Sequence, residues 1–232
     1  MLFILQHVLR FLFPKFCLQC SLILETELIF CFSCLAKQTP PLAKELKITS
    51  EVTLKVYSAF YYEPPLTKIV KAKFGGRTEL FVRAANTVSE MKDFFLPKGF
   101  FDQAILVPIP IHWTRKLLRG FNQAEVFASA LAKQNNTKCS SFLIRTRMTK
   151  YQSLLSKDER WKNVKDCFSV DKNDLPNISA KIILIDDLLT SGSTLVAATK
   201  KLRSYGFNNI SALTICKKPM FASPRSLNKE DN

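Results

Sequence analysis

Ile182-Ile183-Leu184-Ile185-Asp186-Asp187-Leu188-Leu189-Thr190-Ser191-Gly192-Ser193-Thr194 is the stretch of sequence that decides the fold. The four aliphatic residues at its start indicate a strand buried in the middle of a sheet. Two carboxylates follow directly, and a hydroxyl-rich turn around Gly192 leads into a predicted helix from Ser193 to Tyr205. A buried strand, a turn and a helix in this order indicate an α/β protein, in which ligands bind outside the carboxyl ends of the strands.

Each part of this stretch has a physical use in binding a phosphorylated ligand. The turn and the first helical residues offer unpaired backbone N–H groups and the positive end of a helix dipole, which together bind a phosphate. Gly192 lets the backbone approach the anion closely. The hydroxyl donors around it are Thr190, Ser191, Ser193 and Thr194. The carboxylates of Asp186 and Asp187 can accept hydrogen bonds from the two hydroxyls of a sugar diol. They can also stay near a divalent cation.

Two other interpretations of the same stretch are open. It could be a Walker B strand, which also ends in Asp-Asp, or a strand, turn and helix with a purely structural role. The chain contains no G-x-x-x-x-G-K-[ST] motif, so an NTPase would lack its phosphate cradle. Buried strand ends rarely carry two adjacent carboxylates without a ligand or partner. The residues therefore favour a phosphate-binding site.

Strands and helices alternate along the rest of the chain. The predicted strands are Val52 to Phe60, Ala104 to Val107, Lys181 to Ile185 and Ile210 to Ile215. One predicted helix follows Pro64-Pro65, a second contains Leu80 to Val88, and a third runs from Gly120 to Lys133. This alternation predicts a parallel sheet covered by helices on both faces. We expect one α/β domain over residues 51–216. We also expect an N-terminal unit at 1–50 that ends in a linker from Pro40 to Ser50, and a flexible tail at 217–232.

The seven cysteines are an odd number, which argues against the fully paired disulfides of a secreted protein. Four of them form two C-x2-C pairs separated by ten residues: Cys17, Cys20, Cys31 and Cys34. Four thiolates at this spacing can close a tetrahedral Zn2+ site, which would be structural because no coordination position stays open. The alternative is two redox or disulfide pairs, but two such pairs on a segment too short for its own core favour zinc. We expect the other three thiols to be buried or incidental.

The charge of the chain is unusual, because 34 Lys and Arg residues against 19 Asp and Glu residues give a net charge of +15. With 47% hydrophobic residues the chain can still bury a core, which excludes wholesale disorder. Residues 112–150 hold eight cations and one anion. The candidate anion-binding residues are Arg115 and Arg119 after a Pro-rich loop, and Arg145 and Arg160 in a polar stretch that could close over a ligand as a hood. Taken singly, each could instead be a solvated surface charge.

The first sixteen residues are crowded with apolar side chains, which His7 and Arg10 interrupt. They predict a short amphipathic helix that packs on its own domain or contacts a membrane surface or a partner. No stretch reaches the roughly 18 uninterrupted apolar residues of a spanning helix, so we expect no transmembrane segment. The expected location is the cytoplasm, either free or peripheral at the inner membrane.

The stretch from Ile182 to Thr194 resembles, at every position, the thirteen-residue signature with which phosphoribosyltransferases bind 5-phosphoribosyl-1-pyrophosphate (PRPP). The resemblance implies a phosphoribosyltransferase type I fold and Mg2+ bound with PRPP. Asp186 and Asp187 would hold the ribose hydroxyls, and the turn from Thr190 to Thr194 would hold the 5'-phosphate. The loop that follows Val107-Pro108-Ile109-Pro110 would face the pyrophosphate, which the reaction releases when phosphoribosyl is transferred.

The whole pattern from Cys17 to Cys216 narrows the resemblance to the ComF/GntX family. The shared features are two cysteine pairs, then VPIPIH, RKLLRGFNQA and RTRMTKYQSLL, and finally the PRPP signature. Relatives tend to be more uniformly basic where this chain has Trp113-Thr114. The family includes proteins required for natural transformation, so the resemblance implies a link to DNA uptake. The alternative to an enzyme is a non-catalytic module that binds single-stranded DNA and DNA-uptake proteins.

Overall fold

The computed structural model describes residues 14–72, 77–148, 159, 164 and 166–219. The apolar segment up to Phe13, Arg160 with most of the predicted hood, and the tail beyond Pro219 lie outside these ranges. Among the described residues, no helix combines the length and the apolar character that a bilayer crossing requires.

A six-stranded sheet forms the centre of the molecule, with the strand order β3-β4-β10-β9-β5-β6. Its strands are β3 (Lys44–Lys47), β4 (Thr53–Tyr61), β5 (Ala104–Pro108), β6 (Lys138–Cys139), β9 (Lys181–Leu189) and β10 (Ile210–Lys217). All neighbouring strands run parallel except β3, which pairs antiparallel with β4 at the edge. The aliphatic strand β9 lies between β10 and β5, because a strand buried on both faces needs apolar residues at every position.

Helices cover both faces of the sheet. The α-helices of the described residues are α1 (Phe32–Leu35), which lies in the cysteine-containing segment, α2 (Thr67–Lys71), α3 (Thr78–Glu90), α4 (Trp113–Arg119), α5 (Gln123–Gln134) and α6 (Ser193–Ser204). Alternate residues of β9 point to opposite faces, as the pleat requires. Ile183 and Ile185 join the core under α3 and α5, whereas Ile182 and Leu184 join the core under α6. These two cores and the order of the strands confirm the predicted α/β fold, with helices on both faces of the sheet.

Short strands complete the described residues. The hairpin of β1 (Lys15–Phe16) and β2 (Ile23–Leu24) lies near the N-terminus, and β7 (Leu143–Arg145) pairs antiparallel with β8 (Phe168–Val170) beside the sheet.

Two segments differ from the sequence prediction. The expected linker from Pro40 to Ser50 contains β3, because Leu46 is buried against the core under α6 and the strand completes the edge of the sheet. The expected loop after Pro110 is the helix α4, which begins where the side chain of His112 accepts a hydrogen bond from the N–H of Thr114.

Candidate functional site

The two adjacent carboxylates lie at the carboxyl edge of the sheet. Strand β9 continues to Leu189, so Asp186 and Asp187 occupy part of its last four residues and are half-buried. The N–H of Asp187 donates to Oδ1 of Asp186 over 2.9 Å. On the neighbouring strand, the buried Thr214 is the register partner of Asp186, and its hydroxyl lies 2.7 Å from that of Ser58. A row of polar groups therefore crosses three strands at the level of Asp186.

The turn after β9 brings backbone N–H groups and hydroxyls to the same edge. Gly192 has a φ of +82°, a conformation that favours glycine, and a Cβ there would lie 2.4 Å from Cδ1 of Leu46. The hydroxyls of Ser191 and Ser193 lie 3.1 Å apart, and the N–H of Ser193 donates to Oγ of Ser191 over 3.4 Å. Because α6 starts here, its positive dipole end faces the region in front of the turn. This arrangement suits an anion such as a phosphate.

Arg145 is the last residue of β7, and it lies near Asp186. Its guanidinium is buried, lies 5.4 Å from the ring of Phe168 and donates to the carbonyl of Pro110 over 3.4 Å. Burial lowers the pKa of Arg145, whereas the charges of Cys167 and Asp186 act in the opposite direction. The predicted hood residue therefore lies in the electrostatic neighbourhood of Asp186.

The predicted pyrophosphate-loop cations are on the helix α4. The N–H of Ile109 donates to the carbonyl of Ile185 over 2.8 Å, which places the segment after β5 beside the end of β9. Arg115 is buried within α4, and Arg119 is half-buried at its end. Arg160 lies outside the described residues, so its predicted role stays a prediction.

Tyr62 is a site residue that the sequence reasoning missed. It directly follows β4, and its N–H donates to the carbonyl of Lys217 over 2.8 Å. Burial raises the pKa of Tyr62, and the charges of Cys216 and Asp187 raise it further. Its position one residue beyond a parallel strand is the sequence signal that could have found it, because that position falls at the carboxyl edge of the sheet, where α/β proteins generally bind ligands.

The four paired cysteines form one cluster near the N-terminus. Their Sγ atoms all lie within 4.8 Å of one another, and those of Cys20 and Cys31 are 3.7 Å apart. A tetrahedral site with Zn–S bonds of about 2.3 Å separates its sulfurs by about 3.8 Å, so the cluster fits Zn2+. Cys17 and Cys34 are buried, whereas Cys20 is exposed and Cys31 is half-buried. The cluster brings together all four predicted ligands.

The electrostatics of the cluster also suit a cation. Burial acts to raise the pKa of Cys17, but backbone N–H groups, those of Cys20 and Cys31 foremost, outweigh it and lower the pKa to about 6. Burial and the neighbouring thiols raise the pKa of Cys34 to about 12. The first ionised thiolate thus makes ionisation of a second one costly. A divalent cation at the centre would relieve that repulsion.

The cysteine cluster is docked on α3 through a buried arginine. The guanidinium of Arg83, which is 5% exposed, donates to the carbonyl of Leu28 through Nε (3.1 Å) and Nη2 (2.7 Å) and to that of Phe16 through Nη2 (2.9 Å). Thr87 accepts a hydrogen bond from the N–H of Ile29 over 2.9 Å. The side chains of Ile29 and Phe30 continue into the core under α3. We call residues 15–36, which carry the cluster, the knuckle.

The sheet, the carboxylate pair and the turn at residues 190–194 define the class: a protein of phosphoribosyltransferase fold that carries a four-cysteine knuckle. No family model matches the chain. It is 29% identical over 211 residues to competence protein F of Haemophilus influenzae, covering 85% of this chain and 82% of that one. It is 26% identical to DNA utilization protein YhgH of Escherichia coli K12, covering 87% and 83% of the two chains. Over 134 residues it is 35% identical to competence protein ComFC of Bacillus subtilis, covering 58% and 51%. These similarities, together with the four-cysteine cluster, confirm the resemblance to the ComF/GntX family that was found in the sequence.

Solved structures with distant similarity are purine phosphoribosyltransferases. A hypoxanthine phosphoribosyltransferase from Staphylococcus aureus gives a TM-score of 0.37 at 18% identity, covering 61% of this chain and 65% of that one. An adenine phosphoribosyltransferase from Trypanosoma brucei gives 0.38 at 9% identity, covering 82% and 94%. Superpositions this loose assign no residue roles.

Proposed function

We propose that the chain binds PRPP or a related phosphorylated ribose at the carboxyl edge of its sheet. One observation carries the proposal: the turn at residues 190–194 opens the helix α6 immediately beyond Asp186 and Asp187. A phosphate in front of this turn would meet backbone N–H groups, hydroxyls and the helix dipole together. A ribose attached to that phosphate would then lie over the two carboxylates.

The remaining residues would complete the site by charge. Asp186 and Asp187 would accept hydrogen bonds from the 2'- and 3'-hydroxyls. Arg115, Arg119 and Arg145 would offset the negative charge of a pyrophosphate, with Arg160 a further candidate. Mg2+ bound with PRPP would supply charge neutralisation at the pyrophosphate. In the knuckle, we propose that a structural Zn2+ is held by the four cysteines.

The same site supports phosphoribosyl transfer. In that reaction the bond between the anomeric carbon and the pyrophosphate oxygen breaks, and a bond to an acceptor nucleophile forms. Positive charge that develops on the ribose would be stabilised by Asp186 and Asp187, and negative charge on the leaving pyrophosphate by the arginines. The names of the relatives support a link to DNA uptake, with a cytoplasmic location as the matching prediction.

Thermal unfolding with PRPP and Mg2+ tests the binding proposal. A ligand at 100 times its Kd adds about 2.7 kcal/mol of stability, which raises the Tm of a chain of this size by roughly 5–10 °C. The double variant Asp186→Ala, Asp187→Ala should lose this shift. The matched control Asp93→Ala, Asp102→Ala removes two exposed carboxylates near the opposite edge of the sheet and should keep it. Absence of any shift in the parent protein would reject the proposal.

A second candidate function is binding of single-stranded DNA, which a surface beside the site favours. Trp113 on α4 is 68% exposed, and Lys116 and Arg119 lie on the same short helix. An exposed aromatic ring next to cations can stack a base while the cations hold phosphates. The net charge of +15 also favours binding of the negatively charged DNA backbone.

Affinity for an oligonucleotide as a function of salt tests the second function. The logarithm of the affinity should fall linearly with the logarithm of the salt concentration. Trp113→Ala should weaken binding by roughly 5- to 100-fold, which corresponds to the loss of one stacked base. Phe94→Ala removes an aromatic side chain that is 84% exposed elsewhere and should have no effect. Salt-independent binding, or equal effects of the two variants, would contradict the idea.

A further inference from the structure

The helical layer of α3 and α5 carries an open, largely apolar groove on its outer surface. The groove has a volume of about 570 Å³, and its apolar lining includes Val82 of α3 together with Phe121, Val126 and Ala130. Val82 is 38% exposed, and the other three are half-buried. Charged residues also line the groove, namely Lys116, Glu125 and Lys133. Aliphatic and aromatic side chains that line one continuous groove on a helical layer are suited to bind another apolar element. We call the four apolar residues and the space between them the α3/α5 groove.

The described chain begins next to this groove. Nζ of Lys15 bonds to the carboxylate of Glu27 and lies 3.9 Å from Oε1 of Glu79 on α3. The carbonyl of Phe16 accepts from Arg83 on the same helix. Glu79 and Arg83 lie within one helical turn of Val82, so the chain enters the described structure beside the α3 wall of the groove.

The segment that precedes Pro14 matches the groove in length and chemistry. Nine of the twelve residues from Leu2 to Phe13 are apolar. The three polar ones are Gln6, His7 and Arg10, whose spacing places them on one face of a helix. Twelve helical residues span about 18 Å, which equals the length of the twelve-residue α5 along the groove. Pro14 disfavours the helical conformation at the residue before it, which ends the predicted helix at the entry point.

We propose that residues 2–13 form an amphipathic helix that docks, within the same chain, into the α3/α5 groove. The short connection through Pro14 and Lys15 gives the segment a high effective concentration at the groove, which a second copy or a membrane would have to outcompete. The docked helix would cover Val82 and Val126 and bring the N-terminus next to Phe121, which follows α4. This docking is independent of any ligand at the carboxyl edge of the sheet.

A double-mutant cycle tests the docking. Val126→Lys places a charge in the groove, and a truncated chain that starts at Met-Pro14 lacks the docking segment. Each change alone should lower the Tm by roughly 5 °C and increase binding of a hydrophobic dye. In the truncated chain Val126→Lys should change the Tm by no more than about 2 °C, because the contact is already gone. Equal effects of Val126→Lys in the full-length and truncated chains would overturn the proposal.

Photo-crosslinking separates the possible occupants of the groove. Benzoylphenylalanine in place of Ala130 should give crosslinks within one chain, mapped by mass spectrometry to residues 2–13. The same probe in place of the exposed Phe94 should give none to that segment. Crosslinks between two chains would identify a second copy as the occupant and overturn the proposal. The proposal would also be overturned if no crosslinks formed and if the protein floated with liposomes of anionic lipid only when residues 2–13 were present.

Discussion

Replacing Arg83 by methionine should loosen the knuckle from the α/β domain. The side chain makes three hydrogen bonds to the carbonyls of Leu28 and Phe16, and it is 5% exposed. A hydrogen bond to a charged group contributes about 1.5–3 kcal/mol, and each carbonyl left buried without a donor costs about 1–3 kcal/mol. Burying the guanidinium has its own desolvation cost, which methionine avoids. The net expectation for Arg83→Met is a loss of about 2–4 kcal/mol in the free energy of unfolding.

The assay combines urea unfolding of the zinc-loaded protein with release of zinc to a chromogenic chelator. Since 1.4 kcal/mol corresponds to a factor of ten, a loss of 2 kcal/mol concentrated in the docking contact should speed zinc release more than tenfold. The remaining contact between Thr87 and Ile29 should keep the variant folded. Arg83→Lys retains a charge but cannot reach both carbonyls in the same way, so it should fall between the parent and Arg83→Met.

Arg77→Met is the matched control, because Arg77 is exposed at the beginning of the same helix. Its effect on stability should stay within about 0.5 kcal/mol. If Arg83→Met and Arg77→Met have equal effects on stability and on zinc release, the guanidinium does not anchor the knuckle and the reasoning is wrong.

Three further predictions concern the turn, a buried thiol and the metal. Gly192→Ala should cost about 1–3 kcal/mol in urea unfolding, because φ is +82° and the new Cβ would lie 2.4 Å from Leu46; a cost below about 0.5 kcal/mol would contradict this. Burial raises the pKa of the Cys216 thiol above its ordinary value of 9.0. Above about pH 9 the unfolded chain therefore loses a proton that the native chain keeps, and the free energy of unfolding should fall by up to about 1.4 kcal/mol per pH unit. Cys216→Ala should make this alkaline slope shallower. An unchanged slope would show that the Cys216 thiol does not cause the loss of stability. Removal of zinc by a chelator should lower the Tm by several degrees, because the segment between the two cysteine pairs carries Ile29 and Phe30, which are part of the hydrophobic core. An unchanged Tm would show that the metal is not structural.

Local sequence signals were sufficient for the centre of the sheet. Four consecutive aliphatic residues predicted β9 because a strand with both faces buried has no other composition available to it. The spacing of the cysteines predicted the cluster because two C-x2-C pairs can supply all ligands of one tetrahedron. Both signals depend on interactions within about twenty residues of chain, and both were correct.

The missed elements depend on contacts between distant parts of the chain. Residues 44–47 carry three charged side chains in four positions, which favours a linker when read alone. They form β3 because β4 offers an open edge and because Leu46 finds a buried position. Arg83 had no signal at all, since its partners Leu28 and Phe16 are 55 and 67 residues away and offer only backbone carbonyls. Sequence patterns reveal side-chain chemistry and spacing along the chain. These contacts instead depend on backbone groups and on segments that are far apart in the sequence.

The edge strand β3 connects the two candidate sites physically. It follows the knuckle by eight residues, and its Leu46 fills the space in which a Cβ of residue 192 would lie. At the same edge, Nζ of Lys217 donates to the carbonyl of Leu42 over 3.2 Å, which holds the connecting segment against β10. The knuckle is therefore attached both through Arg83 on α3 and through the segment that leads to β3, whose Leu46 packs against the turn at residues 190–194. Because interiors are close-packed, a shift of β3 would move Leu46 against Gly192, so the pairing of β3 with β4 is part of what shapes the turn.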